Sequence, residues 1–335
     1  MYDLEQLNLH LSTRRDIALR FWDSSSFNGE ESPEDDAYFS YFEKQCRFAR
    51  QNDDQDHPIC TQANILDITQ RLKAGDDRGE IVKCIISKVQ GEQATYREHV
   101  EYAIDLTVCL WLMVHVNNAR RGFTGLTPMP WPGGSLSSAV VAHFQHELIL
   151  TNSIKLEKIF HACNIERIAD VRIQWTSNLV DHLRFIEDGK RPILNIFHHT
   201  TFLYHHKTNT IFPPGLISET LQTIALLLPM HNLACKKWYL AQHARHSLDP
   251  LAITCGQLKL EERQVAHFKY WHDRLVIIKQ YFDESQPRTI KQWWYDDRKR
   301  VQWFWVAIVL VVCTILFGII QCFEGGWQIW KAYHP

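Results

Sequence analysis

The chain has 335 residues, 45% hydrophobic and 22% charged, enough for one or two packed domains. Its formal net charge of -2 gives no overall pull toward nucleic acid or anionic lipid. Nine cysteines are scattered with no C-x-x-C pair, so they read as small hydrophobes of a reducing compartment, with neither a disulfide framework nor a zinc ribbon.

The opening residues, Met1-Tyr2-Asp3-Leu4-Glu5-Gln6, carry neither the basic nor the apolar part of a secretory leader. Residues 3–22, with Leu4, Leu7, Leu11, Ile17, Leu19, Phe21 and Trp22 among charges, predict one or two amphipathic helical segments. An acidic stretch with Pro33 marks a loop over 24–36, and a helix follows over 38–50 with Phe39, Phe42, Cys46 and Phe48 or Ala49 on its apolar face. Asp53, Asp54, Asp56 and His57-Pro58 end it. Helices over 65–73 and 78–89 are joined by Ala74-Gly75-Asp76-Asp77, where Gly75 suits a left-handed cap and Asp76 or Asp77 can accept from free amides of the next helix. The pair reads as an ordinary helical hairpin, because a DNA reader needs a basic face and the second helix carries Glu80 and scattered cations. Residues 98–117, too short to span a bilayer and holding Asp105 and His115, predict the buried central helix of a helical region over 1–121.

Three prolines and four glycines between 122 and 138 exclude helix and make that stretch a junction, or a long loop anchored by Trp131. A second region, 139–256, mixes structure types. Ser137 or Ser138 can cap a helix over 139–148, and another is predicted over 155–163. Val171, Ile173 and Trp175 alternate as a half-buried strand, 178–183 forms a helical turn, and 183–197 reads as a hairpin around Asp188-Gly189. That order matches a small winged-helix-like α+β element, with too little basic charge at Lys190 and Arg191 to argue for nucleic acid. Helices are then expected over 217–228, stopped by Pro229, and over 233–245. A long helix over 258–282, opening on Leu258 and closing on Phe282, would carry the stripe Val265, Phe268, Trp271, Leu275, Ile278 and Phe282. The stripe can pack on the protein's own core or pair with a second copy as a short coiled coil.

Within a region over 257–300, Ser285-Gln286-Pro287 breaks that helix before a basic segment. Residues 303–320 then contain no ionisable group, and eighteen residues at ~1.5 Å each give about 27 Å, which Val301 and Phe323 extend toward a ~30 Å hydrocarbon core. A transmembrane helix is predicted over 301–323, with Trp303, Ala307, Leu310, Thr314 and Gly318 along it, and a short tail over 324–335. Trp293, Trp294 and Tyr295 before it, and Trp327, Trp330 and Tyr333 after it, form interfacial belts. Arg288, Lys291, Arg298, Lys299 and Arg300 precede the span while Lys331 alone follows it, which places the N-terminal part in the cytosol and the C-terminus lumenal or extracellular. A segment so placed would insert after synthesis, as a tail anchor. Thr314, Gly318 and Cys322 lie four apart, either as a small-residue seam for a second helix or as isolated small residues facing lipid.

Eighteen histidines require a metal site to be weighed. His198, His199, His205 and His206 form H-H-x5-H-H, while His143 with His146 and His243 with His246 give H-x-x-H. Multi-span membrane oxygenases and desaturases use comparable boxes, but on several spanning helices, and no H-E-x-x-H or di-iron carboxylate set occurs. Walker, Rossmann, nucleophile-elbow and kinase signatures are absent from the sequence.

The C-terminal run D-R-K-R-V-Q-W-F-W through Q-C-F-E-G-G-W-Q-I-W-K-A-Y resembles the tail of a family of uncharacterised filamentous-fungal single-pass membrane proteins. Their endings have Q-W-x-x-F-W-like openings and an L-T-x-x-F-G-x-x-Q centre, in which Thr314, Phe317, Gly318 and Gln321 stand here. Residues 56–62, 156–160, 175–183 and 196–199 are similar to that family too. The resemblance implies a single-pass membrane protein and no particular activity.

The sequence therefore predicts a mainly α chain: a helical cytosolic domain with a small β-hairpin element and one C-terminal transmembrane helix. Its expected role is non-enzymatic, a membrane-anchored interaction module without cofactor or nucleic acid. Its partners would be the lipid bilayer, an unidentified protein, and a second copy through the transmembrane helix or the 258–282 helix. The alternative is a membrane-tethered metal enzyme using the histidines.

Overall fold

A computed structural model describes residues 11–22, 36–51, 61–87, 93–117, 127–145, 149–150, 153–187, 189, 191–285 and 300–333. The chain divides into a globular unit, Met1–Glu166 with Asp170–Glu284, and a second unit holding the C-terminal helix. Residues on both sides of the Pro- and Gly-rich stretch belong to the same globular unit.

The first part of that unit is helical: α1 Leu11–Trp22, α2 Asp36–Gln51, α3 Gln62–Ala74, α4 Arg78–Ser87 and α5 Gln93–Leu112. Helix α5 packs against α2, α3 and α4, and its turn Val108–Leu112 is buried throughout, as the apolar content of that stretch requires. Polar tips on α2 and on α5 itself close the packing. Tyr38 Oη donates to Leu110 O at 2.8 Å and Trp111 Nε1 to Phe21 O at 3.0 Å. Helix α3 ends as expected at Gly75, with φ 89°. Asp76 N donates to Arg71 O and Gly75 N to Leu72 O, so two orphan carbonyls are satisfied. Trp131 is fully buried, and the Arg78 guanidinium lies 4.8 Å from its ring centre while donating to Asp105 Oδ1 at 2.6 Å. The loop does have the predicted anchor, and Arg78 joins it to α5.

The second part carries α6 Leu136–Phe144, α7 Ala162–Ile168, α8 Thr200–His205, α9 Leu216–Leu227, α10 Leu233–His246 and α11 His272–Glu284 around a three-stranded sheet. Its strands are β1 Arg172–Thr176, β2 Phe185–Ile186 and β3 Ile193–Phe197, in the order β1-β3-β2. β2 and β3 form the predicted antiparallel hairpin, although Asp188 and Lys190 of its turn lie outside the described residues. β1 runs parallel to β3, Arg172 facing Ile193 and Thr176 facing Phe197. A wing belongs to an antiparallel sheet, so strand direction separates this element from a winged helix. A central strand covered on both faces reads as a continuous apolar run, and Ile193–Phe197 has four of its five residues buried.

Three predicted helices are corrected. Residues 155–163 form a bridge at Lys155 and a turn closed by Phe160 N donating to Glu157 O: Leu156 N donates to Arg263 O and Val265 N to Ile154 O, and the helix starts only at Ala162, as α7. The cap of α6 is Ser135, whose Oγ accepts from Ser138 N at 3.3 Å, in place of Ser137 or Ser138. The long helix over 258–282 is only α11, preceded by a 3₁₀ turn at Val265–His267. Its cause is Glu219 of α9. The buried carboxylate accepts from the amides of Lys269, Tyr270 and Trp271 at 2.9, 2.8 and 2.8 Å, so they cannot donate within a helix begun earlier. The stripe from Val265 to Phe282 is nevertheless buried, all six residues lying inside the globular unit.

The second unit holds one long helix, α12 Arg300–Tyr333, of 34 residues. It continues unbroken through Gly325 and Gly326, where a tail was expected after Phe323. The overall class is as predicted: mainly helical, with a small sheet and one C-terminal apolar helix.

Candidate functional site

The feature that most needs a physical explanation is α12. The most apolar eighteen-residue window of its segment Val306–Tyr333 has a mean hydropathy of 2.8, and none of that window is buried against protein. Ala307, Leu310, Thr314 and Gly318 are all exposed, whereas a core helix of equal hydropathy would be enclosed. Twenty-eight residues at ~1.5 Å each give about 42 Å, enough for the hydrocarbon core and part of the headgroup layers. Thr314 Oγ1 donates to Leu310 O at 2.8 Å, so that hydroxyl is satisfied within its own helix. Trp327 and Trp330 lie 5.6 Å apart beyond the apolar centre. The side chains of Trp303 and Arg300 are outside the description, as are Arg298 and Lys299 altogether.

The four paired histidines separate into two places. His205 stacks on Trp22 at 4.3 Å, and Trp22 Nε1 donates to His206 Nε2 at 3.0 Å. His198 and His199 follow β3, their rings 4.0 Å apart. Burial drives His198 and His206 down to about 3 and His199 well below the ordinary histidine value, so all three rings are neutral in neutral solution. Asp249 N donates to His198 Nδ1 at 3.3 Å, and the His243 Nδ1–H donates to Leu248 O at 2.6 Å. Among the described residues no three His, Cys, Asp or Glu side chains are placed to hold a metal ion; His146 is outside them. The described geometry offers the metal-enzyme alternative no support.

What the structure does bring together is polar chemistry at the carboxyl ends of the parallel strands. Ser177 follows β1 and His199 follows β3, and Ser177 Oγ lies 2.9 Å from His199 Nε2. His199 Nδ1 is buried with no hydrogen-bond partner among the described residues, so none of them orients the ring as a base for Ser177. Asn178 ties the two halves together: its Oδ1 accepts from His115 N, and its Nδ2 donates to Thr127 O and Asp181 Oδ2. His182 is likewise structural. Its Nδ1 accepts from Phe197 N, which leaves Nε2–H to donate to Thr223 Oγ1 at 2.7 Å, and burial lowers its pKa to about 3. Asp249 accepts from Thr201 N and Leu251 N at 2.7 and 2.9 Å, yet desolvation still raises it to about 6. These contacts tie the carboxyl end of the sheet to α8, α9 and the segments around it.

Sequence reasoning missed Glu219, Asp249 and the Ser177–His199 pair. Ligand-facing residues of parallel sheets lie just beyond strand carboxyl ends, so reading the strands as parallel would have singled out Ser177 and His199. A shallow open groove of about 500 Å³ also lies over Pro130–Ser135 and α6, with His143 on its rim. No family model, no curated protein and no solved structure matches this chain.

Proposed function

We propose that the protein is a single-span membrane protein whose helical unit, N-terminal to the span, stands on the cytosolic face as a platform for protein contacts. The observation that carries this reading is the exposure of α12: an apolar helix with no protein cover over its most hydrophobic window is suited to a hydrocarbon environment. Orientation rests on charge, five Lys or Arg within the fifteen or so residues before the span against Lys331 after it. The platform role rests on a large folded unit in which the described polar clusters are structural.

Alkaline carbonate extraction and protease protection of the full chain test this together. The expected result is a protein retained in the membrane pellet, with its globular unit digested from the cytosolic side and an epitope placed after Tyr333 protected. Release into the carbonate supernatant refutes the anchor. Protection of the globular unit refutes the orientation.

A further inference from the structure

Helix α10 has an unusual surface. Its inward face is closed by Cys235, Trp238 and Tyr239, all buried. Its outward pole carries Leu233, Lys237, Leu240 and Ala244, spaced four, three and four residues apart on one side of the helix. Leu233 is 73% exposed and Leu240 49% exposed. Lys236, Lys237 and Arg245 are exposed around them, and the fourteen residues of the helix include no Asp or Glu. Glu166 accepts from Trp238 Nε1 at 2.7 Å, and Asp249 O accepts from Tyr239 Oη at 2.7 Å, both through residues of the helix's buried face. Two exposed leucines set among cations, with no acid among the helix's own residues, give this face a mixed apolar and cationic character that suits an anionic lipid surface.

We infer that α10 docks on the anionic leaflet of the membrane that the chain is anchored to, Leu233 and Leu240 entering the headgroup boundary and Lys236, Lys237 and Arg245 meeting lipid phosphates and carboxylates. This rests on the single-span reading above. Two arguments favour lipid over a protein occupant. The charge is complementary to the cytoplasmic leaflet, which is negative. The fifteen residues 285–299 between α11 and α12 reach at most about 54 Å when fully extended, so on that reading the leaflet is present at a high effective concentration.

The experiment uses the full chain reconstituted in vesicles of phosphatidylcholine alone or with about a third phosphatidylserine, with Leu240→benzoylphenylalanine as a photocrosslinker and Gln222, exposed on α9, as the control position. The expected result is a phospholipid adduct at position 240 at least fivefold above position 222, present in the anionic vesicles and reduced at least threefold in neutral ones. It should fall again in 0.5 M salt and with Lys236→Glu and Lys237→Glu combined. A covalent dimer in place of the lipid adduct overturns the inference in favour of a second copy. Equal adduct in both vesicle types, or none above the control, also overturns it. Carbonate extraction of the same samples keeps the two readings apart: protein that stays in the pellet without the adduct refutes docking alone, and protein that is released refutes the anchor.

Discussion

Acidification from pH 7 to pH 5 should strongly destabilise the globular unit. His182, His198 and His206 are held neutral by burial, their pKa lowered to about 3 from an ordinary 6.5. A depressed histidine contributes stability that is present above the unfolded value and is lost as pH falls toward the folded one, because only the unfolded chain then takes up the proton. At pH 5 each such group costs about 2 kcal/mol relative to pH 7, roughly 6 for the three. Asp249 works the other way: raised to about 6, it binds a proton earlier in the folded state and returns about 1 kcal/mol over the same range. The net loss is about 5 kcal/mol, as large as the whole stability of many domains, and His199 adds to it in the same direction. Urea unfolding of the full chain in lipid nanodiscs, followed by tryptophan fluorescence, should show a midpoint lowered by ~2 M, with about two protons taken up on unfolding near pH 5. A midpoint that stays within ~0.3 M across that range would refute the assignment of these rings as buried and neutral.

Other outcomes follow from single contacts. Glu219→Ala leaves the amides of residues 269–271 without their acceptor and should cost about 3 kcal/mol in the same unfolding assay, with Glu219→Gln costing less; a loss under ~1 kcal/mol would contradict its role as the start of α11. Arg78→Ala strands the largely buried Asp105 and removes the cation from the Trp131 face, so a loss of about 3 kcal/mol is expected, most of it recovered if Asp105→Asn is added. Gly75→Ala meets no atom within 4 Å but must hold φ near +89°, and should lower stability by roughly 1 kcal/mol without altering the fold. Leu310→Arg with Ile315→Arg places two cations at the centre of α12, each costing ~3 kcal/mol in a bilayer, and should move the protein from the carbonate pellet to the supernatant.

The elements legible in the sequence were those whose pattern is set by their own residues. α2 and α5 follow from apolar spacing, α3 ends where Gly75 permits φ 89°, β1 alternates, and α12 is set by hydropathy. Where the reading failed, a distant residue decided the local structure. Leu156, Ile159 and Phe160 are spaced like a helix face, yet residues 154–156 bond to 263–265, a pairing across more than a hundred residues that no local window contains. Direction was equally hidden: the Asp188-Gly189 turn announces that β2 and β3 are antiparallel, while nothing in β1 states that it joins the same sheet in parallel, so Ser177 and His199 could not be placed side by side.

The failure over 258–271 has a more useful cause, because the clue lay in the sequence at another position. Val265, Phe268 and Trp271 keep helical spacing, and they are buried, but the backbone between them is extended or 3₁₀. Glu219 stands within L-I-S-E-T-L-Q-T-I-A-L-L, ten of whose twelve residues are buried, so its carboxylate had to enter the core with the rest of α9. A carboxylate there is tolerable only where donors converge on it, and among the partners the described residues place around it are three consecutive amides from another segment. These amides lie just ahead of α11, which begins at His272, so the carboxylate fixes the approach to that helix. A buried acid in an apolar helix is therefore a reason to expect converging donors from elsewhere in the chain, and here it argues against a continuous helix through the segment that supplies those amides.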